Sequence, residues 1–176
     1  PYARITNLPI PLTSFVGRTQ QTSDVKRLLD PATSPVRLLT LTGPGGSGKT
    51  RLAIQSATDL IDSFPHGVWW VELAALGAGD LVEHAVAKAL GVHEEVDKRC
   101  VQSLIDYIGG KRLLLVLDNC EHLIDPVARL AAELLRQCPN LQILATSREP
   151  LDLVGEIRRQ APALSLPDAG QGAAID

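Results

Sequence analysis

A glycine-rich stretch between an apolar run and a helical pattern constrains this chain more than any other feature. Its eight residues fit the pattern GxxxxGK[ST] and are Gly43, Pro44, Gly45, Gly46, Ser47, Gly48, Lys49 and Thr50. Glycines let the backbone turn its N–H groups inward, and the following helix aims its positive end at the same point. A short structural loop does not need the lysine, whereas a bound phosphate does. The stretch therefore predicts a phosphate-binding loop between a buried strand and a helix.

The residue types at the end of this loop predict its chemistry. We expect Lys49 to reach the β- and γ-phosphates of a nucleotide and the Thr50 hydroxyl to ligate Mg²⁺. Arg51 follows directly and is included among the predicted nucleotide-binding residues, together with residues 43–50. The alternative is a plain glycine turn with an idle lysine. The position after a buried strand and before a helix argues against that alternative.

A second candidate site is an acidic residue at the end of a strand that is apolar at 113–117. Residues 112–117 are followed by Asp118, whose carboxylate should emerge at the edge where strand ends and ligands meet. This is the Walker B arrangement, in which the aspartate holds Mg²⁺ through water. The next residue, Asn119, cannot act as a base, so Glu121 is the nearest candidate. Glu121 is equally well explained as a first-turn acid that the helix dipole favours, and His122 as a structural or surface group.

Polar residues also end the strand at 141–147. Thr146, Ser147 and Arg148 should point into the same crevice, where Arg148 could bind the γ-phosphate with its planar guanidinium. The alternative role for Arg148 is a surface ion pair with Glu149.

The pattern of apolar residues predicts an α/β domain. Continuous apolar runs of strand length indicate strands buried on both faces, and they alternate with helical patterns, so we expect a mainly parallel sheet with helices on both sides. The predicted strands are 36–43, 68–73, 112–118, 141–147 and a short fifth strand near Ile157. The predicted helices are 19–30, one beginning at Lys49, 80–90, 98–108 and one beginning on Pro126.

Composition excludes several classes of protein. The 176 residues are 45% hydrophobic and 21% charged, which suits a globular core. The net charge of −3 does not favour binding to the negatively charged backbone of a nucleic acid. No apolar run is long enough to span a bilayer, so a cytoplasmic location is expected. The three cysteines are far apart, which predicts buried free thiols rather than zinc or disulfides. The lack of methionine suggests a piece of a longer protein.

Four segments together resemble a known family. FVGR at 15–18, GPGGSGKT at 43–50, LLLVLDNCEH at 113–122 and ATSRE at 145–149 occur in this order in STAND-class ATPases, which are related to NB-ARC proteins. The likeness is strongest to the ATPase modules of bacterial LuxR- or SARP-type regulators and spans about residues 5–167. It implies a P-loop NTPase three-layer sandwich with strand order 5-1-4-3-2 and Mg²⁺ with ATP or ADP as ligands. It also implies that Phe15, Val16, Gly17 and Arg18 line the adenine and ribose side of the pocket.

The resemblance also implies a domain plan. Residues 1–18 would be an extended segment with FVGR, 19–166 the NTPase domain, and 167–176 a tail or the start of a linker to a further domain. Other domains of the same chain, such as DNA-binding, cyclase or helical-repeat domains, would then be its partners, without direct nucleic acid or membrane binding by this part. Two departures matter: Asn119 replaces the family's usual second acid, and the chain ends before the segments that carry a further nucleotide contact.

These features lead to a regulatory ATP switch that hydrolyses ATP slowly, with Lys49, Asp118, Glu121 and Arg148 as the candidate catalytic residues. A nucleotide-binding interaction module without turnover is the main alternative. An ATP-driven DNA machine shares the loop, but the acidic composition disfavours it. A phosphotransfer kinase also uses such a loop, but the sequence indicates no pocket for a small substrate.

Overall fold

A computed structural model describes residues 5–14, 16–79 and 81–161, which form an α/β domain around one parallel sheet. The helices are α1 (Thr19–Leu29), α2 (Lys49–Asp59), α3 (Leu81–Leu90), α4 (Cys100–Ile108) and α5 (Ile124–Gln137). The strands are β1 (Leu38–Thr42), β2 (Val68–Glu72), β3 (Leu113–Asp118), β4 (Leu141–Ser147) and β5 (Glu156–Gln160). Their order across the sheet is β2-β3-β4-β1-β5, and every neighbouring pair is parallel. This confirms the predicted fold class and strand order.

The central strand β3 is apolar from Leu113 to Leu117 because helices cover both faces of the sheet. Along β3, Leu113, Leu115 and Leu117 pack with α3, α4 and α5 on one side. The intervening Leu114 and Val116 pack with α1 and α2 on the other side. The two-residue period of a strand thus divides one apolar run between two cores.

Helix α5 begins two residues before the predicted start at Pro126. The backbone N–H of Val127 donates to the Leu123 carbonyl at 3.0 Å, which places Ile124 in the first turn. Pro126 is tolerated there because first-turn N–H groups have no partner within the helix. Helix α4 likewise begins at Cys100 rather than near Lys98, and the Glu83 carboxylate of α3 accepts a hydrogen bond from the N–H of Val101 at 3.2 Å.

The segment before α1 contacts the open edge of β2. Thr6 forms an isolated parallel bridge with Val68. The Asn7 side chain accepts from the N–H of Trp70 at 2.6 Å and donates to its carbonyl at 2.9 Å. These bonds cover part of an edge that would otherwise be open to another strand.

Several expectations fall partly or wholly outside the described residues. They are the tail at 167–176, the role of Phe15, the first residue of the helix predicted at 80–90, the start of the segment at 1–18 and the end of the domain at 19–166. Within the described ranges, no helix has both the length and the apolar character that crossing a bilayer requires.

Candidate functional site

The glycine-rich loop joins the end of β1 to the start of α2 and requires its glycines. Gly43 has a φ of 149°, and a Cβ built on it would lie 2.6 Å from the carbonyl oxygen of Ala161. Gly46 and Gly48 have φ values of 74° and 81°, in the left-handed region that side chains disfavour. Gly48 is also the residue that precedes α2. Local sterics therefore hold the loop in a tight turn over a helix N-terminus, the arrangement that binds anions.

Lys49 lies folded against this loop. Its Nζ donates to the carbonyls of Gly43 and Pro44, each at 2.8 Å, and only 6% of the residue is exposed. Burial lowers the pKa of Lys49, while the negative charge of Glu121 opposes that shift. The ammonium thus spans the loop at the position where a phosphate chain would need a cation.

Asp118 is fully buried at the end of β3 and forms the centre of a cluster of oxygen atoms. It accepts hydrogen bonds from Thr50 Oγ1 at 2.9 Å and from Thr146 Oγ1 at 2.5 Å. Burial raises the pKa of Asp118, and these two hydrogen bonds act against the increase. The hydroxyl of Thr50 and the carboxylate are the hard oxygen ligands that Mg²⁺ prefers. The donor set fits the predicted metal, because a divalent cation would compensate a buried negative charge that no cationic side chain of the described ranges contacts directly.

Asn119 connects this cluster to β2. It adopts a left-handed conformation with φ 60°, and its N–H donates to Thr146 Oγ1 at 3.0 Å. Its side-chain Nδ2 lies 3.0 Å from both Asp118 Oδ2 and Glu72 Oε1. Glu72, the last residue of β2, was missed by the sequence analysis. The signal that identified Asp118, an acid at the end of a strand, would have found it.

Arg148 and Glu121 lie on the loop side of Asp118. Arg148 Nε lies 3.7 Å from Glu121 Oε1, so its ion pair is with Glu121 and not with Glu149. A Cβ on Gly45 would be 3.0 Å from Arg148 Nη2, which places the guanidinium directly over the glycine loop. Glu121 Oε2 is buried and has no hydrogen-bond partner among the described residues. His122 instead contacts the Leu76 carbonyl at 3.2 Å, which fits its expected structural role.

Residues 16–18, which belong to the segment predicted to line the adenine and ribose side, lie only partly against the glycine loop. Val16 is 81% exposed, whereas Arg18 is buried and its guanidinium carbon lies 3.5 Å from a Cβ built on Gly48. Arg51 does not point at the loop: its Nη2 donates to the carbonyl and hydroxyl of Thr13 at 3.0 and 2.7 Å and to the Ser14 carbonyl at 3.0 Å. Arg51 therefore ties the N-terminal segment to α2.

Comparison with known proteins identifies the family of this chain. A family model described as the AAA ATPase domain matches residues 14–146. An uncharacterized protein of Mycobacterium tuberculosis is 44% identical over 155 residues, covering 88% of this chain and 38% of its own length. A protein of the same organism, described as an HTH-type transcriptional regulator, is 48% identical over 134 residues, which cover 75% of this chain and 15% of that protein. The regulatory protein AfsR of Streptomyces griseus is 30% identical over 161 residues, which cover 84% of this chain and 16% of that protein.

Two solved structures share the fold at low sequence identity. The ORC2 protein of Aeropyrum pernix has a TM-score of 0.58 and 15% identity, over 81% of this chain and 44% of its own. A Signal Transduction ATPase with Numerous Domains (STAND) protein of Pyrococcus horikoshii has a TM-score of 0.55 and 17% identity. The match covers 86% of this chain and 24% of that protein. This chain spans well under half of the relatives named above. The resemblance to ATPase modules of larger bacterial regulators is confirmed, and the chain belongs to the AAA ATPase domain family.

Proposed function

We propose that this chain is the ATP-binding and slowly ATP-hydrolysing switch domain of a larger bacterial signalling or transcriptional regulator. One observation carries the proposal: Lys49 at the glycine loop and the Thr50–Asp118–Thr146 cluster lie at the same end of the sheet. The first would hold the β- and γ-phosphates and the second Mg²⁺. The sizes of the matched regulators support a module whose nucleotide state controls other domains of the same chain.

Each residue has a role in this proposal. The glycine loop and Lys49 bind the phosphates, while Thr50 and Asp118 hold the metal, which supplies charge neutralisation when bound. Arg148 contacts the γ-phosphate, since its guanidinium already lies against Gly45. Residues 15–18 flank the adenine ring and the ribose of the nucleotide. The module acts in the cytoplasm and binds neither nucleic acid nor membrane directly.

Slow turnover follows from the arrangement around Asp118. Asn119 supplies an amide that cannot take a proton, and Glu121, the base candidate that follows, is engaged with Arg148. A binding-only module is the second candidate, and the same two observations favour it. The two differ in whether the γ-phosphate is ever released.

A phosphate-release assay on the purified chain separates these functions. The slow-switch proposal predicts Mg·ATP binding by calorimetry and a turnover orders of magnitude below the ~10 s⁻¹ of a typical enzyme. Binding without any phosphate release above a Lys49→Ala control would favour the interaction module. Turnover of several per second would contradict the slow switch, and failure to bind Mg·ATP would contradict both.

A further inference from the structure

We propose that Glu72 is the general base for ATP hydrolysis in this site. The inference rests on the proposed ATPase function and names a residue for a step that the residue after Asp118 cannot perform. Glu72 and Asp118 are register partners and the final residues of β2 and β3. Because neighbouring strands lie about 4.8 Å apart, both carboxylates emerge side by side at one edge of the sheet.

The position of Glu72 relative to the loop suits an in-line attack. The strand order places β1 and its glycine loop first, then β4, then β3 with Asp118, and finally β2 with Glu72. Water attacks the γ-phosphate from the side opposite the leaving ADP, and the ADP phosphates lie over the glycine loop. Glu72 follows Asp118 along the sheet edge in the direction away from the loop, and our proposal places the attacking water on that side.

Asn119 fixes Glu72 to the metal cluster. Its Nδ2 lies 3.0 Å from Glu72 Oε1 and 3.0 Å from Asp118 Oδ2, so these two oxygens are at most about 6 Å apart. Glu72 Oε1 also accepts the N–H of Ala74 at 3.1 Å. The residue is exposed, which leaves its carboxylate accessible to water. Asn119 is thus a positioning residue, and an amide at this place serves to hold a base rather than to be one.

Glu121 is less suited to this step. Its carboxylate lies 3.7 Å from Arg148 Nε, and its negative charge opposes the lowering of the Lys49 pKa by burial. Those cations are the groups that a γ-phosphate would bind, so Glu121 lies on the loop side. The hydrogen-bond donors to Glu72, in contrast, are neutral amides.

The proposed step is a hydrolysis that needs no further reactant. Glu72 accepts one proton from water as the water oxygen forms a bond to the γ-phosphorus. The bond from that phosphorus to the β–γ bridging oxygen breaks, and ADP leaves with the electron pair. Glu72 then returns its proton to solvent or to the released phosphate.

The test compares phosphate release and Mg·ATP affinity in the purified chain and three single variants. Glu72→Gln keeps the Oε1 acceptor for Ala74 and Asn119 but removes the base, so it should lower phosphate release by about 10²-fold or more and change the dissociation constant less than threefold. Glu121→Gln should lower release less than Glu72→Gln does. Glu149→Gln removes a carboxylate near the same edge and should match the unmodified chain.

Asn119→Gly is a fourth variant, and it tests the proposal without altering Glu72 itself. Glycine accepts the left-handed backbone at this position, so the fold should persist while the link is lost, and release should fall by roughly tenfold. The inference is overturned if Glu72→Gln releases phosphate within twofold of the unmodified chain, or if it loses Mg·ATP affinity in parallel with rate. An unmodified chain that binds Mg·ATP without hydrolysis also overturns it, whereas a chain that does not bind Mg·ATP overturns the proposed function itself.

Discussion

Replacing Asp118 with asparagine separates the metal-binding role of this residue from its structural role. The two side chains have nearly the same shape, and the position is fully buried. Asparagine can still accept the hydrogen bond from Thr146, and its amide can donate to the hydroxyl of Thr50. The amide group would, however, face the donor Nδ2 of Asn119, which now contacts Asp118 Oδ2 at 3.0 Å.

The expected effect on nucleotide binding is large only when Mg²⁺ is present. Hydrogen bonds to charged groups contribute about 1.5–3 kcal/mol. Losing that contribution to the hydrated metal should weaken Mg·ATP binding by roughly 10- to 150-fold, since about 1.4 kcal/mol corresponds to tenfold. ATP affinity in the presence of EDTA should change by less than about threefold, because no metal contributes there.

The expected effect on stability without metal has the opposite sign. Burial raises the folded-state pKa of Asp118, so the folded chain binds this proton more tightly than the unfolded chain does. Stability is therefore lost as pH rises from the ordinary pKa of an aspartate to the raised folded value. Asp118→Asn lacks this loss, so without Mg²⁺ at pH 7 it should melt no lower than the unmodified chain. The stability advantage of Asp118→Asn over the unmodified chain should disappear below the ordinary pKa of an aspartate carboxyl group.

Calorimetric titrations with Mg²⁺ and with EDTA, and thermal melts from about pH 3 to 8, which extends below the ordinary aspartate pKa, measure both effects. If the affinities with and without Mg²⁺ fall together, Asp118 has a structural role instead of a metal-binding one. A melting temperature lowered by many degrees at pH 7 would likewise refute the argument from burial.

Three further predictions concern the loop, the γ-phosphate and the thiols. Gly43→Ala places a Cβ 2.6 Å from the Ala161 carbonyl oxygen, so it should cost about 1–3 kcal/mol in urea unfolding and weaken Mg·ATP binding; an unchanged midpoint would contradict the close approach. Arg148→Ala should weaken ATP binding by about tenfold and leave ADP binding unchanged; an equal loss for both nucleotides would remove Arg148 from γ-phosphate recognition. Burial, followed by nearby carboxylates, raises the pKa of Cys100 to about 11, and Cys120 is buried with its pKa also raised. Iodoacetamide should therefore label both slowly at pH 7.5, with Cys100 first and faster as pH rises, as mass spectrometry of digests would show; rapid labelling of Cys120 would contradict its burial.

The sequence predicts the parts of this molecule that local physics determines. The glycine loop is recognisable because its backbone geometry demands glycine, and Gly43, Gly46 and Gly48 all have positive φ. The strands are recognisable because double-sided burial makes β3 apolar at five consecutive positions. Asp118 follows from the same pattern, because an acid that ends such a strand must lie at the sheet edge.

The rest depends on contacts between residues distant in the chain. Glu72 ends a strand as Asp118 does, but only the register of β2 with β3 shows that it lies beside Asp118, 46 residues later in the chain. Arg51 lies next to the loop in sequence, yet its guanidinium turns away to Thr13 and Ser14. No local pattern predicts such pairings, because they are set by how loops pack after the sheet has formed.

The most direct test of the central claim is a calorimetric titration of Mg·ATP into the unmodified chain and into Lys49→Ala. Lys49 Nζ already lies at the loop, 2.8 Å from two of its carbonyl oxygens. Removing charge-assisted contacts of about 1.5–3 kcal/mol each should weaken Mg·ATP binding by at least about 10²-fold without unfolding the domain. Lys26→Ala, which removes a surface ion pair with Asp59, serves as the control and should bind normally. Saturable binding that Lys49→Ala abolishes is the predicted result, whereas equal affinity in all three proteins, or none in the unmodified chain, would contradict the account.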